Sequence, residues 1–86
     1  MKKIYLSPPH MSGKELDYIK KAFDDNWIAP IGPQLNMFEE KVKEYTGAKH
    51  AVAVSSGTAG IHLALKALNV SEGDYVICSS LTFIGT

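Results

Sequence analysis

The fold of this chain is decided by residues 51–65, which read AVAVSSGTAGIHLAL. Val52 and Val54 are β-branched residues in a short apolar run, and the run stops at two serines and a glycine. That pattern predicts a short buried strand followed by a turn. From Thr58 onward the apolar residues recur at the spacing of an amphipathic helix. The stretch therefore predicts a strand, a turn of small residues and a helix.

The turn at residues 55–59 combines small side chains with a helix start. Free backbone N–H groups and the positive end of the helix dipole meet there, and hydroxyl groups add donors, so the turn favours an anion such as a phosphate. It is not a Walker loop, because no Gly-Lys-Ser/Thr follows. Gly57 and Gly60 do not give the dinucleotide fingerprint either. From spacing alone, a plain strand-to-helix turn with a serine cap is an equally good interpretation.

The composition narrows the class of protein. Nine lysines balance nine acidic residues, and the formal net charge of zero argues against a protein that binds nucleic acid. Because the chain has one cysteine, Cys78, internal disulfides and a cysteine-based zinc site are excluded. The side chain of Cys78 is predicted to be buried in the protein, and the protein is predicted to lie in the reducing cytoplasm. His10 and His50 have no partner at metal-ligand spacing, so no metal site is predicted. Polar residues interrupt the apolar stretch from 51 to 70, so no membrane span is predicted.

Two more helices are predicted before the central stretch. Ser12 followed by Glu15 is a capping-box pattern, and the helix that it starts is predicted to end at residues 24–26. Pro33 suits the first turn of the second helix, and Gly47 is its natural end. An N-terminal arm and two helices therefore precede the predicted strand.

Between these two helices, Trp27 and Ile28 lie in a loop that proline and glycine punctuate. Large apolar residues in such a loop either plug a core or present an aromatic ring and exposed backbone to a ligand or a partner subunit. Both interpretations are open at this point.

Residues 75–78 are a second short apolar run, as expected for a parallel strand buried on both faces. Strand, helix and strand then make one βαβ unit. Thr82 is predicted to cap a new helix, and Phe83 follows at the carboxyl end of the second strand, where open α/β sheets bind ligands. Phe83 is thus expected beside the turn at residues 56–59. Because the chain stops at Thr86 as an element begins, we expect it to be the N-terminal part of a larger domain.

Several motifs together resemble the opening of the DegT/DnrJ/EryC1/StrS sugar aminotransferases, which are fold-type-I enzymes that depend on pyridoxal phosphate. The motifs are residues 6–11, 26–30, 32–33 with 38–39, 55–65, 73–77 and 81–86. The resemblance is strongest to the bacterial branch that aminates UDP-linked 4-keto-6-deoxy-N-acetylhexosamines. It implies an α/β fold in which residues 1–86 form the N-terminal part of the large cofactor-binding domain.

The resemblance also implies roles for individual residues. The cofactor pyridoxal 5′-phosphate would be held by Ser56, Gly57, Thr58, Ala59 and, through ring stacking, Phe83. The nucleotide sugar would be bound by Asn26, Trp27, Ile28, Ala29 and Gly57. The lysine that forms a Schiff base with the cofactor would lie beyond Thr86, so the 86 residues alone would hold no catalytic residue and be inactive.

The resemblance implies that an amino-acid donor, glutamate, supplies the amino group and that the product is used in surface-glycan biosynthesis. It also implies a homodimer located in the cytoplasm. Two alternatives stay open. One is a small non-catalytic module that binds an anion or a partner. The other is a family member that uses the cofactor for sugar dehydration. For the 86 residues alone, exposed apolar surface is expected.

Overall fold

The computed structural model describes all 86 residues, Met1–Thr86. It contains three α-helices, namely α1 (Glu15–Asp24), α2 (Pro33–Thr46) and α3 (Gly57–Ala67). All three helices lie where the sequence predicts them. The chain divides into two compact units, residues 1–51 with α1 and α2, and residues 52–86 with α3.

The start of α1 follows half of the predicted capping box. Oε1 of Glu15 accepts hydrogen bonds from the Ser12 N–H at 2.7 Å and the Ser12 hydroxyl at 2.8 Å, and Oε2 accepts from the Gly13 N–H at 2.9 Å. The other half differs, because Ser12 Oγ accepts from the Lys14 N–H at 3.4 Å and the helix begins only at Glu15. The donors of Ser12, its N–H first, lower the pKa of the Glu15 carboxyl from 4.5 to about 2.

The end of α1 carries two carboxylates at the negative pole of the helix dipole. Each is paired with a lysine one turn earlier. Lys20 Nζ lies 2.5 Å from Asp24 Oδ2, and Lys21 Nζ lies 2.8 Å from Asp25 Oδ2. Exposed pairs of this kind stabilise a helix only weakly, but they offset the unfavourable placement of the acids.

Helix α2 begins and ends on the residues that the sequence indicates. Pro33 occupies its first turn, where a missing N–H costs no hydrogen bond. Gly47 ends it in the left-handed conformation (φ 73°), and its N–H donates to the Lys43 carbonyl at 2.8 Å. A hydrogen bond of 2.7 Å from Gln34 Nε2 to the Tyr18 carbonyl joins α2 to α1.

Neither predicted strand forms. Residues 51–54 and 75–78 have no regular secondary structure, so the predicted βαβ unit is not found in this structure. The physical reason is that parallel strands are stable in sheets whose two faces are covered, and no residue of this chain is buried. Cys78, predicted to be buried, is exposed. Ile77 beside it is fully exposed.

Large apolar side chains are exposed along the whole chain, among them Leu6, Leu68, Tyr75 and Ile84. The prediction of exposed apolar surface for these 86 residues is therefore confirmed.

None of the helices combines the length and the apolar character that crossing a membrane requires.

Candidate functional site

The N-terminus of α3 is built by its serine cap. Ser56 has an extended backbone (φ −162°, ψ 162°), and its Oγ accepts a hydrogen bond of 3.1 Å from the Ala59 N–H. Its carbonyl accepts from the Gly60 N–H, also at 3.1 Å. The N–H groups of Gly57 and Thr58 have no acceptor within the chain. Two backbone donors at the positive end of the helix are therefore available to an anion.

The sequence predicts that Ala59 also binds the anion, but only two backbone N–H groups at this helix start are free. The Ala59 N–H is engaged by the Ser56 side chain and is free only if that side chain turns away. The Ser56 hydroxyl, which accepts from Ala59, keeps its own hydrogen for a further acceptor. Ser56 thus both caps the helix and retains a donor at the same end.

A cavity of about 320 Å³ lies at this helix start. It brings Phe83 together with Gly57 and Thr58, although no strand ends beside it. The cavity is shallow, since the residue Phe83 is 92% exposed. Ser56 and Ala59 are not among its lining residues, which are Gly57, Thr58, Ile61, Thr82, Phe83, Gly85 and Thr86.

A tight turn, not a helix, places the last residues against α3. The Thr86 N–H donates to the Phe83 carbonyl at 3.2 Å, and the helix predicted to start at Thr82 does not form. A Cβ added at Gly85 would overlap Oγ1 of Thr58, so the backbone of Gly85 passes very close to that hydroxyl. Sequence reasoning singled out Phe83 but not Gly85 or Thr86. The glycine after two apolar residues was the available signal for a close backbone approach.

The donor set around this cavity suits a phosphate that carries a flat ring. Backbone N–H groups, three threonine hydroxyls and a helix dipole favour the anion, and Phe83 offers an aromatic face. No lysine lines the cavity, and the chain has no arginine. The site can therefore hold and orient such a group, but these residues supply no lysine for covalent attachment.

Apart from Gly57, the predicted substrate residues lie in the other unit, in the loop that follows α1. Asn26 adopts the left-handed conformation (φ 57°) and donates its N–H to the Phe23 carbonyl at 3.0 Å. The Trp27 N–H donates to the Ala22 carbonyl at 2.8 Å, which completes a Schellman motif. Trp27 is 46% exposed and Ile28 is 65% exposed. Neither residue plugs a core, which was one of the two interpretations of this loop.

A larger cavity of about 710 Å³ follows the apolar stripe of α2 and is unrelated to either set of predicted residues. It is lined by Phe38, Lys41, Val42, Glu44, Tyr45 and Thr46. It presents an uncovered helix face and no convergent set of anion donors.

Comparison with known proteins places this geometry in a family context. The sequence profile of the DegT/DnrJ/EryC1/StrS aminotransferase family matches residues 9–86. The "Putative pyridoxal phosphate-dependent aminotransferase EpsN" of Bacillus subtilis (strain 168) is 64% identical over 85 residues, which are 99% of this chain and 22% of that protein. No solved structure matches the chain significantly.

Two further relatives are named for a sugar nucleotide. The GDP-perosamine synthase of Escherichia coli O157:H7 is 42% identical over 86 residues (100% of this chain, 24% of that protein). The GDP-perosamine synthase of Caulobacter vibrioides is 39% identical over 84 residues (98% and 23%). The chain thus spans between a fifth and a quarter of the length of these relatives. Since the family profile covers almost all of its residues, the chain belongs to the DegT/DnrJ/EryC1/StrS aminotransferase family.

Proposed function

We propose that this chain is the N-terminal part of a pyridoxal-phosphate-dependent enzyme that transfers an amino group to a keto carbon of a nucleotide-linked sugar. The observation that carries the proposal is the pair of free N–H groups of Gly57 and Thr58 in one cavity with Phe83. Membership of an aminotransferase family supports the reaction type. We further propose that residues 51–54 and 75–78 become the two strands of a βαβ unit in the large fold-type-I domain when the rest of that domain covers them.

The residues at the start of α3 are proposed to hold the cofactor. Gly57 and Thr58 would donate their N–H groups to the phosphate, the hydroxyls of Thr58 and Ser56 would add two donors, and Phe83 would stack on the ring. Ala59 would donate its N–H to the phosphate only if its hydrogen bond to Ser56 Oγ breaks. When bound, pyridoxal phosphate supplies an electron sink for the chemistry at the amino carbon.

The loop Asn26, Trp27, Ile28 and Ala29 is proposed to contact the nucleotide sugar, and Gly57 remains a second proposed contact. The half-exposed Trp27 and the open backbone of the loop are suited to a flat base or a sugar ring. From the motif resemblance we infer that the acceptor is a UDP-linked 4-keto-6-deoxy sugar and that the amino donor is glutamate. A GDP-linked sugar is the second candidate, because two relatives are GDP-perosamine synthases. We propose that the protein is a homodimer and that it is located in the cytoplasm.

The cofactor assignment is tested on the 86-residue chain with pyridoxine 5′-phosphate. This probe lacks the aldehyde and so cannot react with the nine lysines. We expect it to bind while pyridoxine, its phosphate-free counterpart, does not. Thr58→Ala should weaken binding about tenfold, because a hydrogen bond to a charged group is lost. Thr46→Ala, which removes a hydroxyl from the other unit, should leave binding unchanged. Equal binding of both probes would contradict a phosphate site.

The reaction itself is tested on the longest protein that the reading frame containing this sequence encodes. Glutamate and a 4-keto-6-deoxy sugar are supplied as either the UDP or the GDP derivative, and the amino sugar is measured by mass spectrometry. Product from the UDP derivative supports the first candidate, and product only from the GDP derivative supports the second. Release of water from the sugar without amino transfer would establish the dehydratase alternative instead.

A further inference from the structure

The indole of Trp27 rests on a glycine five residues later in the chain. A Cβ built at Gly32 would lie 3.2 Å from Cε3 and 3.4 Å from Cδ2 of Trp27. Both are atoms of the fused ring system, and such distances are tighter than side chains normally tolerate. The backbone of Gly32 therefore forms a seat against which the indole packs, and a Cβ there would push the ring away by a few tenths of an ångström.

The backbone of Gly32 also requires glycine. Its dihedral angles, φ 150° and ψ 176°, lie in a region that residues with a Cβ essentially do not occupy. Gly32 is the residue before the first turn of α2, and its carbonyl accepts a hydrogen bond of 3.2 Å from the Asn36 N–H. The seat is thus fixed to the start of a helix.

The main chain of Trp27 is held by the end of α1. Its N–H donates to the Ala22 carbonyl at 2.8 Å in the motif that ends α1. The main chain of Trp27 is therefore fixed by one helix and its ring by the start of the next. The residue as a whole is nevertheless 46% exposed. An aromatic side chain that is anchored twice and still half exposed has a defined orientation at low entropic cost.

We infer that Gly32 is a positioning residue for the substrate loop, and that it acts by seating the indole of Trp27 in the orientation in which it meets the nucleotide sugar. The inference rests on the proposed function in one respect, namely the identity of the ligand. Gly32 itself touches no ligand and acts only through Trp27. Its effect should therefore vanish when Trp27 is removed.

The seat is tested first without any ligand, on the 86-residue chain, where Trp27 is the one tryptophan and the sole source of indole emission. Gly32→Ala should shift the emission to longer wavelength and raise the acrylamide quenching constant. Gly47→Ala is the matched control, because Gly47 also has a positive φ (73°) but a Cβ there would meet nothing within 4 Å. Circular dichroism checks that both variants keep their helices. Equal quenching in the two variants would overturn the inference.

The consequence for the substrate is tested on the protein from the full reading frame. Gly32→Ala should raise KM for the nucleotide sugar about tenfold, the upper range for one aromatic stack, and leave kcat nearly unchanged. In a Trp27→Ala background the same change should have no further effect on KM, and an additional loss there would overturn the positioning role. If Gly32→Ala alters quenching but the parent protein binds neither nucleotide sugar, the seat stands and the proposed substrate fails.

Discussion

Replacing Ser56 by alanine separates the two tasks of that residue. The side chain of Ser56 caps α3 through one hydrogen bond, from the Ala59 N–H to Oγ at 3.1 Å. Ser56→Ala removes the acceptor and leaves the Ala59 N–H without a partner. The same change frees that N–H for a phosphate, but it also removes the hydroxyl donor.

The expected loss follows from the length of the helix. A serine cap contributes about 1 kcal/mol, with a range of about 0.5–2 kcal/mol. Helix α3 has 11 residues, and helices shorter than about 12–15 residues are marginal in water. A loss of about 1 kcal/mol lowers the ratio of helix to coil about fivefold. Little tertiary packing compensates, because no residue of α3 is buried.

The assay compares Ser56→Ala with Ser55→Ala, the neighbouring serine, which is not the helix cap. Amide chemical shifts of residues 57–67 report α3 alone, and only Ser56→Ala should move them toward coil values.

Ser56→Asp is the third variant. Aspartate is as good a cap as serine, so the helix should persist, whereas its charge should abolish binding of pyridoxine 5′-phosphate. If Ser56→Ala and Ser55→Ala lower helicity equally, the cap is not what holds the start of α3. If Ser56→Asp binds the probe as well as the unchanged chain does, the anion site lies elsewhere.

Two further changes test the local structure. The pKa of Glu15 is lowered from 4.5 to about 2, so its contribution to α1 is fully present above about pH 4.5 and is lost as the pH falls through about 2. Helicity of residues 15–24 should therefore decline across that window more than in Glu15→Gln, and identical curves would refute the role of this carboxylate. Gly60→Ala should stabilise α3 by up to about 1 kcal/mol through helix propensity, since its Cβ would meet only Val54 Cγ2 at 3.4 Å. A lower helicity of this variant would mean that the contact with Val54 is already too tight for a methyl group.

The helices could be predicted because their signals are local. Pro33 and Gly47 set the limits of α2 through their own backbone preferences, and Ser56 sets the start of α3 through a contact three residues away. Such signals act whether or not a core surrounds the helix. At Glu15 only one half of the predicted capping box forms: its carboxylate accepts from the Ser12 N–H, whereas Ser12 Oγ accepts from Lys14 instead of from the Glu15 N–H.

The strands could not be predicted in this way, because a strand is defined by its partners. Residues 51–54 and 75–78 carry the right composition, but composition gives no hydrogen-bond partner for an extended backbone. The same reasoning explains Cys78. An apolar neighbourhood in sequence indicates burial only if other elements cover it, and none does here.

For the candidate site, sequence reasoning identified the free donors of Gly57 and Thr58 from the helix start. The serine cap was the alternative interpretation of the same turn, and it occurs together with the free donors, because Ser56 occupies only the Ala59 N–H. Sequence reasoning missed Gly85, whose closeness to Thr58 depends on a turn between residues 83 and 86 that no local pattern specified.

The exposed segment at residues 75–78 has a consequence for handling this chain. Together with Ser79 and Ser80 it forms a six-residue window that is rich in β-forming side chains and free of charge and proline. Such a window, left without a partner in its own chain, is a template for cross-β pairing with the same window of another molecule. That association is second order in concentration, whereas docking onto the chain's own polypeptide is first order. Dilution should therefore favour docking within one chain over the formation of fibrillar aggregates.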